Sequence, residues 1–155
     1  MKLIISDSTT IITLLNINRI DVLKNIFSCI YIPNNVYEEI TLKEKITLDK
    51  DFFITKDIKD KKLYKLLLKS LDKGEAQAIV LAKELNLSLI IDEKKGRKIA
   101  TIMGINIFGF IGLLLINYKN RMLSKEDIIN IFSQAKKQGF RVSKKLENDF
   151  LKLLN

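Results

Sequence analysis

The chain has 155 residues, of which 47% are apolar and 29% are charged, and its net charge is +9. This length and composition predict one globular domain with its own hydrophobic core and exclude an intrinsically disordered chain. The absence of histidine and the presence of one cysteine exclude Ser-His-Asp and Cys-His catalysis, zinc sites built from imidazole or thiolate groups, and a disulfide framework. We expect a reduced, cytoplasmic protein.

The excess of basic residues favours a polyanionic partner, although a basic, solubilising surface is the alternative. Residues 1–20 lack the features of a secretory signal, and the most apolar stretch, residues 107–116, is too short to span a bilayer. We therefore expect no membrane association. Neither G-x-G-x-x-G after a strand nor a P-loop motif occurs, so any chemistry should depend on carboxylates.

Apolar runs typical of buried strands alternate with helical patterns along the chain. The predicted strands cover residues 2–6, 29–33, 51–58, 87–91 and 105–109. The predicted helices cover residues 8–17, 19–27, 34–45, about 60–70, 73–85, 93–103, about 110–121, 125–138 and 144–154. This alternation predicts an α/β fold in which helices cover both faces of a parallel sheet. We treat residues 1–155 as a single domain, in which the helices over about 125–154 pack on the core or on a partner.

Two aspartates directly follow predicted strands, Asp7 after KLIIS and Asp92 after LSLII. Ligands of open α/β sheets bind beyond the carboxyl ends of the strands. The two acids would therefore lie close together if their strands were neighbours. The alternative is a structural role, in which Asp7 or Ser8 caps the following helix and Asp92 caps the helix that begins at residue 93.

Two glutamates lie on predicted helices. Glu39 borders the apolar face of its helix, whereas Glu38 is turned toward solvent. Glu75 heads a row of small and apolar residues at helical spacing, which would aim it at the edge of the sheet. Its alternative role is a capping box with Asp72.

Four carboxylates, those of Asp7, Glu39, Glu75 and Asp92, can thus converge from four elements. Without a counter-ion they would repel one another and raise one another's pKa values. A divalent cation relieves this repulsion, and oxygen ligands without His or Cys favour Mg²⁺ or Mn²⁺. The topology therefore predicts a magnesium or manganese site.

Six short segments resemble, in order, the motifs of PIN-domain proteins. They are ISDSTTII (5–12), IPNNVYEEI (32–40), LDKGEAQAIVLA (71–82), LIIDEKKGRKIATIMG (89–104), GFIGLLL (109–115) and GFRVS (139–143). The last three are similar to segments of a stand-alone, toxin-like (VapC-like) PIN subgroup of predicted nucleic-acid-binding proteins. Each motif is short, but together they span nearly the whole chain.

This resemblance implies a three-layer α/β/α sandwich with a parallel sheet of four to five strands in the order 3-2-1-4-5. It also implies a ribonuclease that depends on a divalent metal, often the toxin of a toxin–antitoxin pair and commonly a homodimer. The chain departs from the family in two places. Glu75 stands where many members have Asp, and either Asp92 or Glu93 could match the fourth acid. We take Asp92 as the ligand, with Glu93 behind it or bound through water.

A basic run follows the fourth acid, and it consists of Lys94, Lys95, Arg97 and Lys98. These side chains would bind neighbouring phosphates of RNA, and Arg97 matches a position of the family motif. A solvated helix face is the alternative. Ser8 or Thr9 would orient a ligand carboxylate or a water molecule.

Two other functions compete with a ribonuclease. One is a non-catalytic PIN-like module that binds nucleic acid or a protein partner. The other is a Mg²⁺-dependent phosphohydrolase of small molecules, which is disfavoured because D-x-D is absent after the first strand. At the C-terminus, Leu146, Phe150 and Leu153 form a stripe that predicts core or dimer packing rather than an antitoxin groove.

Overall fold

The computed structural model describes residues 2–155 and contains one five-stranded sheet in which every neighbouring pair of strands is parallel. The strands are β1 (Lys2–Ser6), β2 (Phe27–Pro33), β3 (Phe53–Lys56), β4 (Leu89–Ile90) and β5 (Ile107–Phe108). Their order is β3-β2-β1-β4-β5, which confirms the predicted order. The central strand β1 therefore lies between β2 and β4.

Nine α-helices surround this sheet within the described part of the chain. They are α1 (Ser8–Asn16), α2 (Asp21–Lys24), α3 (Asn34–Glu38), α4 (Lys61–Leu67), α5 (Lys73–Leu85), α6 (Lys94–Ile102), α7 (Phe110–Lys119), α8 (Lys125–Lys137) and α9 (Lys144–Leu153). Strands β4 and β5 are shorter than the apolar runs that predicted them, because only two residues of each enter the sheet ladder.

Helix α3 continues without a break as a π-helical turn over Glu39–Lys43, where a single regular helix over residues 34–45 was expected. The Glu44 N–H donates to the Glu39 carbonyl at 3.0 Å, five residues back instead of four. Thr41 contributes to this local geometry, because its hydroxyl donates to the Tyr37 carbonyl at 2.7 Å. The widened turn begins at Glu39, one of the predicted site residues.

Side chains of β1 alternate between two apolar layers, as the pleat of a strand requires. Ile4 belongs to the apolar cluster that includes residues of α1, α2, α7, α8 and α9, whereas Ile5 belongs to the cluster on the other face, which includes residues of α4, α5 and α6. Both isoleucines are buried. This arrangement gives the predicted three-layer α/β/α sandwich, and it leaves the carboxyl edge of the sheet free for polar residues.

The C-terminal helix packs on the core through Phe150, which belongs to the predicted stripe, and through Leu154, which follows the helix and does not. Phe150 and Leu154 are buried, and the Phe150 ring contacts the Phe132 ring with centroids 5.0 Å apart. Leu146 and Leu153 are 48% and 54% exposed, so neither packs in the core of this chain, and the other predicted role of the stripe, dimer packing, stays a prediction. An i, i+4 pair is enough to attach this short helix to the core.

Within residues 2–155, no helix is both long enough and apolar enough to cross a membrane.

Candidate active site

Asp7 lies at the centre of the acidic edge. Its N–H donates to the Ile90 carbonyl at 3.0 Å, which places it at the carboxyl ends of both β1 and β4. The Asp7 side chain makes no capping hydrogen bond to α1, and the residue is only 6% exposed. Burial is the main cause that raises the pKa of Asp7 to about 7, and the negative charges of nearby Asp72, Glu39 and Asp92 raise it further.

Glu39 approaches this edge from the start of the π-helical turn. The Ser8 hydroxyl donates to Glu39 Oε2, so one of the predicted supporting residues fixes the orientation of the second acid. Glu39 is half-buried and Glu38 is exposed, as the position of each on the helix indicates. Thr9, the other predicted supporting residue, is exposed at the wall of a cavity described below.

Asp92 is held by two donors from separate elements. The Thr10 hydroxyl donates to Oδ2 at 2.7 Å, and the Phe110 N–H, at the start of α7, donates to Oδ1 at 3.0 Å. Asp92 therefore does not cap α6. That role belongs to Glu93, whose side chain accepts from the Gly96 N–H at 2.8 Å.

Glu93 remains beside the site while it caps α6. Its partial burial acts to raise its pKa, but hydrogen bonds, above all the one from the Gly96 N–H, outweigh burial and lower it. The two adjacent acids thus have different tasks. Asp92 is oriented by α1 and α7, whereas Glu93 stabilises the first turn of α6.

Glu75 lies under the edge at the start of α5. Asp72 caps this helix by accepting from the Glu75 N–H at 2.8 Å, so half of the expected capping box is present. Glu75 itself is 7% exposed, and among the described residues its Oε2 atom has no hydrogen-bond partner. Burial first, then hydrogen bonding to Asp72 and Glu93, raises the pKa of Glu75 to about 9. Only a protonated Glu75 could donate to Asp72 or Glu93, whereas the ionised carboxylate leaves Oε2 without a donor.

The acids gather around Asp7, but in residues 2–155 no three Asp, Glu, His or Cys side chains are arranged so that they could hold a metal ion. The chemistry of the donors nevertheless fits a hard divalent cation. They are all carboxylate oxygens, two of them belong to buried acids with raised pKa values, and the buried Glu75 Oε2 lacks a partner.

One side chain of the basic run is held by a hydrogen bond, and the other three are exposed. Arg97 is half-buried, and its Nη1 donates to the Ile91 carbonyl at 2.8 Å. Lys94, Lys95 and Lys98 are exposed, and in the described part of the chain none of these four residues forms a salt bridge. Gly109 makes room for the guanidinium, because a methyl group there would lie 2.6 Å from Arg97 Nη1.

Two cavities adjoin the acidic edge. The first, of about 690 Å³, is lined by Thr9, Asp92, Glu93 and Arg97 and extends along α7 to Phe140 and Arg141. The second, of about 600 Å³, adjoins Glu39 and Asp72 and is lined by the basic residues Lys43 and Lys73. Each cavity thus combines acids of the edge with two cationic side chains.

The sequence interpretation missed three groups at this edge. Thr10 and the Phe110 N–H orient Asp92, and Asp72 adds charge next to Asp7. The position of Thr10 three residues after Asp7 was a usable signal, since it lies in the first turn of α1. The Phe110 N–H left no signal of its own, because a backbone donor has no residue-type signature.

The profile of the PIN-domain family matches residues 3–155. The chain belongs to the PIN-domain family. PIN domains are generally metal-dependent nucleases, which fits an acidic edge built without histidine. Among solved structures, a PilT N-terminus domain protein from the hyperthermophilic archaeon Sulfolobus solfataricus P2 is similar to this PIN domain, with a TM-score of 0.59 and 21% identity. The match covers 76% of this chain and 94% of the archaeal one, and it supports the fold. No curated protein matches the chain.

Proposed function

We propose that this PIN domain is an endoribonuclease that depends on Mg²⁺ or Mn²⁺ and hydrolyses RNA phosphodiester bonds. The observation that carries the proposal is the position of Asp7. It is buried at the carboxyl edge of the sheet, with the charges of Glu39, Asp72 and Asp92 close enough to raise its pKa. A fold gains no stability from such repulsion, so a bound cation is the physical reason for the arrangement.

In this proposal Asp7, Glu39, Glu75 and Asp92 would hold the cation, and Glu93 would contribute through water. A bound divalent ion polarises a phosphate oxygen and lowers the pKa of a coordinated water molecule. Hydrogen bonds from other residues of the chain orient two of these carboxylates. The Ser8 hydroxyl holds the Glu39 carboxylate, and Thr10 together with the Phe110 N–H holds the Asp92 carboxylate.

The basic run would position the substrate beside these acids. Arg97 is fixed by the Ile91 carbonyl, whereas Lys94, Lys95 and Lys98 are free to follow the phosphates of a strand. Contacts of this kind supply affinity with little sequence preference. Addition of water across the P–O3′ bond would leave a 5′-phosphate and a 3′-hydroxyl.

The test is a cleavage assay on a structured RNA with Mg²⁺, with Mn²⁺ and with EDTA. We expect wild type to cut only when metal is present, and Asp7→Asn or Asp92→Asn to reduce the rate by at least about a hundredfold. Asp149→Asn, an exposed acid on α9, is the matched control and should cut at the wild-type rate. Equal cleavage by wild type and both site variants would refute the proposal.

A non-catalytic PIN-like module is the second candidate, and one observation favours it. In residues 2–155, no three acids are arranged so that they could hold a metal ion. The two candidates differ in metal binding. A nuclease should gain thermal stability in Mn²⁺ through binding to the folded state, whereas a degenerate site should show neither this stabilisation nor cleavage. A toxin role, a protein antitoxin and a homodimer stay predictions of the family resemblance.

A further inference from the structure

Two segments line the larger cavity, the one beside Asp92, and most of their residues have no role in the proposed metal site. The segment GFIGLLL (109–115) supplies one wall from α7, and the segment GFRVS (139–143) supplies another from the loop after α8. Apart from the Phe110 N–H, neither segment touches the carboxylates through a hydrogen bond. Both face the same space of about 690 Å³, which lies within the size range of small-molecule sites.

Gly112 keeps this cavity open. It lies inside α7, where a glycine is about 1 kcal/mol less favourable than an alanine. A methyl group at Gly112 would meet no heavy atom within 4 Å, and the residue does not have the positive φ that favours glycine. Neither packing nor backbone conformation therefore requires glycine here. Since Gly112 lines the cavity, a larger side chain would occupy it.

The walls combine apolar surface with two guanidinium groups. Ile111 and Leu115 are half-buried on α7, and Leu146 of α9 is 48% exposed. Phe140 also lines the cavity, and its ring packs against the Phe110 ring with centroids 4.8 Å apart. Such a wall suits the flat, apolar face of a nucleobase.

The charges of the same cavity suit a phosphate. Arg97 is oriented by the Ile91 carbonyl, and Arg141 is exposed at the cavity wall. A guanidinium binds phosphate through two parallel hydrogen bonds, and it also stacks on bases. The acids at this cavity are Asp92 and Glu93, which already belong to the proposed metal-binding edge.

We propose that this cavity binds one unstacked base of a single-stranded RNA next to the phosphate to be cut, with Arg97 and Arg141 on the adjoining phosphates. The inference rests on the proposed function for its substrate. Charge favours RNA over a protein segment, because the exposed side chains of Lys94, Lys95 and Lys98 lie on the same helix as Arg97. The second cavity adds Lys43 and Lys73 beside the acids Glu38, Glu39 and Asp72, and a polyanionic strand that crossed the acidic edge would adjoin both cavities.

The first experiment separates base recognition from charge and uses wild-type protein. Binding of a fluorescent five-nucleotide oligouridine is measured in EDTA by anisotropy, beside an oligomer with the same ribose-phosphate backbone and no bases. Loss of one stacked base should weaken binding about tenfold. Equal affinity for the two oligomers would overturn the inference.

The second experiment fills the cavity. Gly112→Phe should bind the intact oligouridine about tenfold more weakly than wild type and should no longer distinguish it from the baseless oligomer. Ser133→Phe places the same ring at an exposed position of α8 that does not line the cavity, and it should behave as wild type. Leu146→Asp, at an exposed position of the wall, should weaken binding too, and it provides a second variant if Gly112→Phe melts early.

The binding assay contains no divalent metal, so it does not depend on catalysis. If the protein distinguishes the two oligomers but never cleaves RNA, this inference stands and the proposed hydrolysis fails. If Gly112→Phe and Leu146→Asp both fold, bind and cleave as wild type does, the inference is overturned, and a protein segment becomes the better occupant of the cavity.

Discussion

Asp7 shows how a single buried carboxylate links stability to metal binding. Burial raises the pKa of Asp7 to about 7 in the folded protein, whereas the ordinary pKa of an aspartate is 3.8. A cation at the edge would stabilise the ionised form and remove this difference. The same residue therefore opposes folding without metal and favours it with metal.

The pH dependence of metal-free stability follows from this shift. Between pH 5 and 8 the folded protein binds more protons at Asp7 than the unfolded chain does, so the free energy of unfolding falls as pH rises. The stabilising effect of protonated Asp7 is complete below pH 4 and lost above about 7. Between pH 5 and 8, urea titrations in EDTA should show that the free energy of unfolding falls on the order of 2 to 3 kcal/mol because of this residue. Asp7→Asn should make the profile shallower without flattening it, because the pKa of Glu75 is also raised, and an unchanged slope would contradict the assignment.

Glu38, at the end of α3, and Glu39, at the start of the π-helical turn, form a matched pair for a test of metal binding. Glu39 is half-buried and accepts from Ser8, whereas Glu38 is exposed one residue earlier. Glu39→Gln should weaken Mn²⁺ binding at least about tenfold, because a ligand with full charge is replaced by a neutral one. Glu38→Gln should leave it within about twofold. Isothermal titration with Mn²⁺ compares them, and equal losses would reverse the assignment of the helix face.

At the residue scale the sequence predicted which acids meet, but it did not predict how they are held. Asp7 and Asp92 could be placed because each follows a strand directly. The task of Glu93 could not be read, since two adjacent acids before a helix can each serve as its cap. The structure separates them through the Thr10 hydroxyl and the Gly96 N–H, which lie on different elements.

Among the elements, the junction of β5 and α7 determines the geometry of the basic run. Gly109 lies between the Arg97 guanidinium and Asp92, and an added methyl group would come within 2.6 Å of Nη1 and 3.1 Å of Oδ1. Its φ of −100° suits an alanine. The flexible end of Arg97 would therefore move before the backbone does.

Gly109→Ala should lower RNA affinity about as much as Arg97→Ala, because both remove the oriented guanidinium. The double variant should lose little more than either single variant, since the two changes act on one contact. Anisotropy titrations on the four proteins complete this cycle. Additive losses would show that Gly109 acts independently of Arg97.

Helix α9 offers a test of core packing that is separate from the site. Phe150→Ala removes a buried ring that packs edge-to-face against Phe132, and should lower the free energy of unfolding by about 3 to 5 kcal/mol. Leu153→Ala lies on the same helix at 54% exposure and should change it by less than about 0.5 kcal/mol. Urea denaturation distinguishes them, and similar values would mean that α9 does not stabilise the core.

Most element boundaries were predictable because caps and glycines mark them, but the π-helical turn was not. The pattern of residues 34–45 predicts one amphipathic helix, and the residue types give no sign of the extra residue that makes a π-helical turn. Likewise, periodicity placed Leu146 and Leu153 on the same stripe as Phe150, whereas α9 meets the core through Phe150 and Leu154. The sequence pattern of a short helix does not determine how the helix is rotated about its own axis when it packs on the core.

For the whole molecule, the strand order creates the site. Because β1 and β4 are neighbours, Asp7 and Asp92 leave the sheet side by side, and the helices bring the remaining acids to them. The alternation of elements predicted a parallel sheet, and the family resemblance predicted this order of its strands. The side-chain hydrogen bonds that orient Glu39 and Asp92 were not predictable, because they depend on rotamers.

The net charge of +9 gives a whole-molecule prediction for salt dependence. The pair Lys95→Ala with Lys98→Ala should reduce the log–log slope of RNA affinity against salt by about one unit for each lost contact. Lys61→Ala with Lys62→Ala removes the same charge from exposed positions on α4 and should leave the slope close to wild type. Identical slopes for the two pairs would mean that overall charge, and not the basic run, attracts RNA.

The two cavities also bear on turnover. In the proposed reaction, a strand cut at the acidic edge would become two pieces, one beside Arg97 and Arg141 and the other beside Lys43 and Lys73. Each piece would be held by its own pair of cations, so the two products would dissociate independently and at different speeds. The guanidinium side, with its apolar wall, would retain its fragment longer, and departure of that fragment would then limit how often one protein molecule cuts.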